Sequence, residues 1–272
     1  MRRASSAPGR ARRRWHRSAV VLLPVLLLLT SCSGDAGRFG YKKPITEQGH
    51  RALSIWTGFF WLALVVGVLV YALILWACFR YRKRGDKLPA QVHYNLPVEV
   101  LYTILPFVLV AALFYYTARD ETYLDKLSAN PDLRVGVVGF QWSWQFNYVD
   151  ENLQVTGRPG QFPTLVLPVG KRVQFIETSP DVIHSFWVPE FLFKRDVIPG
   201  RSNKFEITTE DTGTFDGRCT ELCGVYHSKM LFTVKVVSDA DYQQFLTTAK
   251  QEAASGNSDM YSTTSVAAGS TS

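Results

Sequence analysis

One stretch limits the fold of this 272-residue chain more than any other: 28 residues without a charge, ALSIWTGFFWLALVVGVLVYALILWACF, lie between Arg51 and Arg80. As an α-helix this stretch is about 42 Å long, which is enough to cross a hydrocarbon core of about 30 Å with some tilt. Apolar side chains cover every side of such a helix, unlike the one-sided pattern of a surface helix. The stretch therefore predicts a membrane-spanning helix.

A second uncharged stretch runs from Val100 to Ala118, with Glu99 at its start and Pro106 inside it. Its length just suffices to span a bilayer, and a proline is tolerated in a membrane helix because neighbouring helices or water satisfy the freed backbone groups. The connecting loop, 80–98, contains five basic residues and a single acidic one. By the positive-inside rule the loop is cytoplasmic, so a two-helix transmembrane hairpin at 53–118 with both chain ends outside is predicted.

The N-terminal region has the layout of a secretory signal. Residues 1–31 contain seven Arg and no acidic residue, and an apolar run follows the basic segment. The run ends in Leu-Thr-Ser-Cys at 29–32, which resembles the lipobox of bacterial lipoproteins. Cleavage there would leave Cys32 as a lipid-bearing N-terminus anchored in membrane lipid, ahead of an external segment at 32–52. The alternative is an ordinary signal with an incidental cysteine.

The net charge of +7 and the pI of about 9.2 would ordinarily indicate an anionic partner such as nucleic acid. Without residues 1–31, however, 23 basic and 23 acidic residues remain, so no nucleic-acid partner is predicted. Residues 119–272 contain 14 basic and 19 acidic residues. An acidic exterior suits a basic protein partner, although an ordinary solvated surface explains it equally well.

The remainder of the chain changes to short β-rich runs such as LRVGVVGFQWSWQF and LFTVKVVS, separated by Gly, Pro, Asn and Asp. Their regular spacing predicts an external all-β sandwich or barrel at 119–238. A short amphipathic helix is predicted at 239–253, with Ser238 and Asp241 in a capping-box arrangement. The last segment, 254–272, has no apolar period and is predicted to be disordered.

Candidate metal ligands are concentrated in CTELCGVYHSKM, residues 219–230, and the outer region has one further histidine, His184. Thiolate, imidazole and thioether together favour copper. A Cys219–Cys223 disulfide leaves His227 and Met230 unexplained, zinc does not usually take Met, and iron–sulfur clusters require more Cys or paired Cys-His motifs. A mononuclear blue-copper site needs only one Cys, and a second Cys permits two sulfur bridges between two coppers.

The same loop, together with the upstream DVIHSFWVPEFLFKRDVIPGR, resembles subunit 2 of the haem-copper cytochrome c oxidases. The family pattern Cys-x-Glu-x-Cys-x-x-x-His-x-x-Met is matched at every position, and the likeness extends from Leu53 to Val237. The resemblance implies a cupredoxin-like β-domain on the outer face of a bacterial plasma membrane. It also implies electron transfer from cytochrome c, through a binuclear copper centre, to a haem-containing subunit 1 that reduces oxygen.

By the same resemblance, Cys219 and Cys223 bridge two coppers. One copper is completed by His184 and Met230, and the other by His227 and the backbone carbonyl of Glu221. The Glu221 side chain is implied to reach a magnesium ion shared with the catalytic subunit.

The resemblance further implies that Trp142, in QWSWQF, is an exposed entry point for electrons, whereas Trp144 and Phe146 are core residues of a strand. Some relatives carry an acidic residue near this entry where this chain has Asn147. That difference and the lipid anchor favour a membrane-tethered or complex-bound cytochrome c. Glu99 corresponds to a glutamate at the mouth of a proton-uptake pathway, and no catalytic residue is expected in this chain.

Three rival functions share part of this pattern. A membrane-anchored copper chaperone has a Cys-x-x-x-Cys and a distant His but lacks the nearby His227 and Met230. A copper-free quinol oxidase subunit 2 has the same fold without the ligands. A nitrous oxide reductase shares the copper loop but has a large second domain and no spanning helices.

Overall fold

The computed structural model describes residues 36–85, 91–158, 160–256 and 260–263. The predicted signal at 1–31 and the lipidation site at Cys32 lie outside the described residues. Residues 36–42 belong to a separate short unit with a 3₁₀ turn at Ala36–Arg38. All elements below belong to the unit that begins at Lys43.

Two long helices come first, α1 (Glu47–Arg80) and α2 (Leu96–Leu124). Both are long and apolar enough to cross a membrane, and their apolar side chains are largely exposed. Each helix begins before its charge-free stretch, because a polar side chain caps its N-terminus: Thr46 accepts from Gly49 N, and Asn95 accepts from Val98 N. Pro106 lies inside α2 without ending it.

In the described part of the chain, eleven strands form two sheets with the orders β11-β3-β2-β1-β5-β8 and β4-β10-β9-β6-β7. Neighbours are antiparallel except β1/β5 and β4/β10. This architecture confirms the predicted two-helix hairpin followed by an all-β sandwich. The strands are β1 Leu133–Phe140, β2 Ser143–Tyr148, β3 Leu153–Thr156, β4 Thr164–Pro168, β5 Arg172–Thr178, β6 His184–Val188, β7 Phe193–Val197, β8 Asn203–Thr208, β9 Gly213–Cys219, β10 Leu231–Val237 and β11 Tyr261–Thr263.

The sandwich core is aromatic. Alternate residues of β1, β5 and β10 face inward, as in half-buried strands, and Trp144 and Phe146 of β2 are fully buried. Both rings pack edge-on against Phe232 of β10. The prediction that Trp144 and Phe146 are core residues is therefore confirmed.

The C-terminal region differs from the sequence prediction. Helix α3 runs over Asp239–Ser255, with Ser238 accepting from Asp241 N as predicted. The segment 254–272 was predicted to be disordered, but Tyr261–Thr263 form β11, which pairs antiparallel with β3. Tyr261 also packs against Phe245 of α3. An open sheet edge and an aromatic side chain therefore order a segment whose own composition gives no signal.

The residues just before α1 are built into the sandwich. Ile45 is buried, its N–H donates to Glu190 O (3.0 Å), and its carbonyl accepts from Glu210 N (2.8 Å). The Thr46 hydroxyl, fully buried, donates to Phe191 O (3.2 Å). These bonds fix the β-domain directly to the first turn of the helix.

Candidate metal centre

The sheet brings the candidate ligands to one end of the five-stranded layer. His184 is the first residue of β6 and Cys219 is the last of β9, and these strands are paired with Phe186 opposite Cys219. The loop after Cys219 returns through a 3₁₀ turn at His227–Lys229 to Met230, just before β10. A bond from Cys219 N to Met230 O (3.0 Å) closes the loop.

Sulfur and nitrogen atoms converge inside this loop. Cys223 Sγ lies 3.8 Å from Cys219 Sγ, 3.8 Å from Met230 Sδ and 3.6 Å from His227 Nδ1. His184 Nδ1 lies 3.9 Å from Cys219 Sγ, and the Glu221 carbonyl lies 3.2 Å from the same sulfur. Both cysteines are free thiols, since bonded sulfurs would be about 2.05 Å apart. The geometry thus favours a soft-metal site over the disulfide alternative.

The convergent side chains are shielded from solvent. His184 and Met230 are fully buried, and Cys219 and Cys223 are nearly so. His227 is half-buried and the Glu221 side chain is exposed. Because a close-packed core restricts the motion of buried side chains, the candidate ligands are held in place.

Asp181 orients the buried histidine. His184 Nε2 lies 2.8 Å from Asp181 Oδ1, and the other carboxylate oxygen accepts from Gln141 N (2.7 Å). With Nε2–H donating to the carboxylate, Nδ1 presents its lone pair towards Cys219. Metal-ligating histidines usually donate their second ring N–H to a carboxylate in this way. Sequence reasoning missed this role of Asp181, which the spacing of three residues from His184 could have indicated.

The two thiols differ in acidity. Burial opposes ionisation of Cys219, but hydrogen bonds with His184 and nearby backbone groups lower its pKa to about 7. Burial and the adjacent Cys219 charge instead raise the pKa of Cys223. One thiolate therefore forms readily, and a second at this distance requires a bound cation to offset the repulsion.

Two family models match the chain: the transmembrane domain of cytochrome c oxidase subunit II over residues 39–117, and the periplasmic domain of the same subunit over 162–237. The probable cytochrome c oxidase subunit 2 of Streptomyces avermitilis is 46% identical over 283 residues, covering 88% of each chain.

The chain belongs to the cytochrome c oxidase subunit 2 family.

Two further similarities are of the same kind. Cytochrome c oxidase subunit 2 of Mycobacterium tuberculosis is 32% identical over 305 residues, which is 90% of this chain and 84% of the relative. The crystal structure of the periplasmic domain of subunit II of Bradyrhizobium japonicum cytochrome oxidase is 32% identical, covers 46% of this chain and 99% of that domain, and has a TM-score of 0.43. The family models and the two subunit 2 relatives confirm the resemblance inferred from the copper loop, and the chain is a membrane-anchored subunit.

Within this subunit 2 fold, Trp142 lies directly over the ligand loop. Its indole Nε1 and the Gln141 amide both donate to the Cys223 carbonyl, at 3.2 and 2.7 Å. Its ring packs edge-on against Tyr226. Trp142 is half-buried, so it is less exposed than the sequence predicts.

Gly224 makes this close approach feasible. Its φ is +123°, and a Cβ there would lie 3.1 Å from Trp142 Nε1. Only glycine readily provides both that backbone conformation and that space.

Exposed residues of the ligand loop form an apolar rim beside Trp142, which sequence reasoning did not foresee. Leu222 and Val225 are 79% and 83% exposed, and Tyr226 is 54% exposed. Val182 and Ile183, beside Asp181, are also exposed. Large apolar side chains grouped on a surface mark an interaction site.

Glu99 is not brought to the metal centre. It lies in the first turn of α2, and its Oε1 accepts from Asn95 N at 2.9 Å. Together with the Asn95 cap, this forms a reciprocal capping arrangement. Glu99 therefore caps the start of α2, and its role in proton uptake stays a prediction.

Proposed function

We propose that this chain is the electron-transfer subunit of a terminal cytochrome c oxidase. It accepts electrons from cytochrome c and delivers them to a haem-containing subunit 1, where oxygen is reduced to water. The supporting observation is the convergence of two free thiols, two imidazoles and a thioether at one shielded site, in a chain of this family.

The residues fit a binuclear copper site. Cys219 and Cys223 would supply the two thiolates, His184 and Met230 would hold one copper, and His227 with the Glu221 carbonyl would hold the other. Copper bound there supplies a one-electron carrier that needs no open coordination position. The chain itself contributes rigidity: Asp181 fixes the His184 ring, and the buried β6 and β9 ends fix the sulfur atoms. Such a frame changes little between redox states.

Trp142 is the proposed electron entry. Its indole is hydrogen-bonded to the carbonyl of Cys223, which links the accessible edge of the ring directly to a ligand residue. The rim of Leu222, Val225 and Tyr226 offers an apolar contact for a donor cytochrome, and the acidic surface of the outer region would steer a basic one. With lipid on Cys32, a membrane-tethered or complex-bound donor fits best.

The exposed Glu221 carboxylate is available to bind magnesium at the contact with subunit 1. The β-domain is proposed to lie on the outer face of a bacterial plasma membrane, after removal of residues 1–31. Glu99, at the cytoplasmic end of α2, would serve proton uptake.

Electron entry can be tested in the assembled oxidase by stopped-flow mixing with reduced cytochrome c. Trp142→Leu should slow reduction of the copper centre while leaving the copper content unchanged. Trp187→Leu is a matched control, because Trp187 is also half-buried but its ring contacts Arg218 on β9 instead of the ligand loop. An unchanged reduction rate in Trp142→Leu would contradict the entry role.

A further inference from the structure

Glu177 is an unusual core residue. It lies on β5 with the same facing as Val173 and Phe175, and its side chain is fully buried. Among the residues that the structure describes, no hydrogen-bond donor reaches either of its carboxylate oxygens. An isolated ionised carboxylate is too costly to bury, so such a group keeps its proton. Burial accordingly raises the pKa of Glu177 well above its usual range.

Arg195 on β7 interacts with two carboxylates: it is hydrogen-bonded to Asp125, and its charge attracts the ionised form of Glu177. The side of β7 that carries Arg195 faces the interior, since Phe193 packs on Phe205 and Val197 is fully buried. The guanidinium extends outward to bond Asp125, the C-cap of α2. Its Nε is buried and, within the described part of the chain, has no acceptor. The Arg195 guanidinium thus has an acceptor, Asp125, for its terminal NH₂ group but none among the described residues for its Nε–H.

Few other charges act on Glu177. Arg195 favours its ionised form, while the adjacent Asp196 opposes it. Its register neighbours on β1 and β8 are the uncharged Val137 and Asn203. Burial is the largest influence on the charge state of Glu177, and Arg195 is the cation that opposes it.

The position of this pair connects two parts of the molecule. Val137 lies opposite Glu177. Two residues further along β1 is Gly139, where an added Cβ would lie 3.2 Å from the Cβ of His184. Glu177 is therefore at the same end of the sandwich as the metal centre. Asp125, the hydrogen-bond partner of Arg195, is the C-cap of the second membrane helix.

We propose that Glu177 is a proton-binding site and that its protonation state decides whether Arg195 pairs with Asp125 or with Glu177. While Glu177 holds its proton, Arg195 pairs with Asp125 at the end of α2. When Glu177 releases that proton to water, Arg195 turns inward and pairs with the new carboxylate, leaving Asp125 to solvent. Protonation in the copper-domain core is thereby linked to the contact between that domain and the membrane helix. This inference stands independently of the electron-transfer role.

The test is infrared spectroscopy of the full-length chain in detergent micelles during a pH titration. We expect a carbonyl stretching band from a protonated carboxylic acid at neutral pH, absent from Glu177→Gln. Glu206→Gln is the matched control: Glu206 is buried on the neighbouring β8, but its carboxylate accepts from Ser128 and Gln174. That variant should retain the band. A wild-type spectrum without it, or a band that survives in Glu177→Gln, would overturn the proton site.

The exchange of Arg195 has its own test. Asp125→Asn removes the outer partner and leaves the guanidinium available to Glu177, so the band should disappear at a pH lower by about 1 to 3 units. Asp125 is half-exposed, so this variant is expected to fold. An unchanged midpoint in Asp125→Asn refutes the exchange, even if Glu177 itself proves to be protonated.

Discussion

Replacement of Asp181 by Asn should weaken copper binding without altering any ligand. The Asp181 carboxylate accepts from His184 Nε2, Gln141 N and Val182 N, using both of its oxygens. Asparagine has one acceptor oxygen. If that oxygen faces His184, the amide N–H₂ faces the Gln141 N–H, and two donors then oppose each other.

The size of the effect follows from this mismatch. A donor left without an acceptor in a partly buried place costs about 1–3 kcal/mol, and the carboxylate side chain is 29% exposed, which places the cost in the lower part of that range. Loss of a carboxylate behind a metal-bound histidine typically lowers metal affinity about 10- to 100-fold. At about 1.4 kcal/mol per factor of ten, the two estimates agree.

Competition against a chelator of known copper affinity measures the change in the full-length chain with reduced thiols. Asp216→Asn serves as the control, since Asp216 is an exposed aspartate on β9. Unchanged affinity in Asp181→Asn would refute the orienting role of Asp181.

Three further predictions concern separate parts of the chain. Because the pKa of Glu177 is raised, the wild type loses stability as pH rises above the ordinary glutamate value of 4.5. Glu177→Gln should therefore melt at a higher temperature than wild type at neutral pH, with a gain of up to about 1.4 kcal/mol per pH unit that vanishes in acid; equal melting at neutral pH would count against it. Glu99→Ala should slow haem reduction in stopped-flow traces but leave copper reduction by cytochrome c at its normal rate. Glu99→Gln separates the roles, since it keeps the acceptor for Asn95 N but removes the carboxylate: normal turnover in that variant means that Glu99 only caps the helix. Mass spectrometry of the mature N-terminus should find lipid on Cys32 and no residue before it, and an unmodified Cys32 would exclude the anchor.

The membrane hairpin and the copper loop could be predicted because their signals are local. A charge-free run of helical length and a set of soft ligands within twelve residues need no knowledge of the rest of the fold. The helix caps at Thr46 and Asn95 extend both helices beyond those runs, and these depend on single polar side chains at the boundary.

What could not be predicted depends on contacts between distant residues. The pairing of β11 with β3 orders Tyr261–Thr263 within a polar segment. The pairing of β6 with β9 places His184 beside Cys219, 35 residues away in the sequence. The environment of Glu177 could not be predicted either. The alternating pattern of β5 predicts that its side chain points inward, but not that hydrogen-bond donors are missing around its carboxylate in the described residues.

The central claim is that both thiols serve one binuclear copper site. The most direct measurement is the copper content of the copper-loaded full-length chain, taken together with its visible and near-infrared absorption. We expect two coppers per chain and the purple mixed-valence spectrum, both abolished by Cys223→Ser because one thiolate cannot form two bridges. One copper per chain with a blue-copper spectrum, or a preference for zinc, would contradict the account.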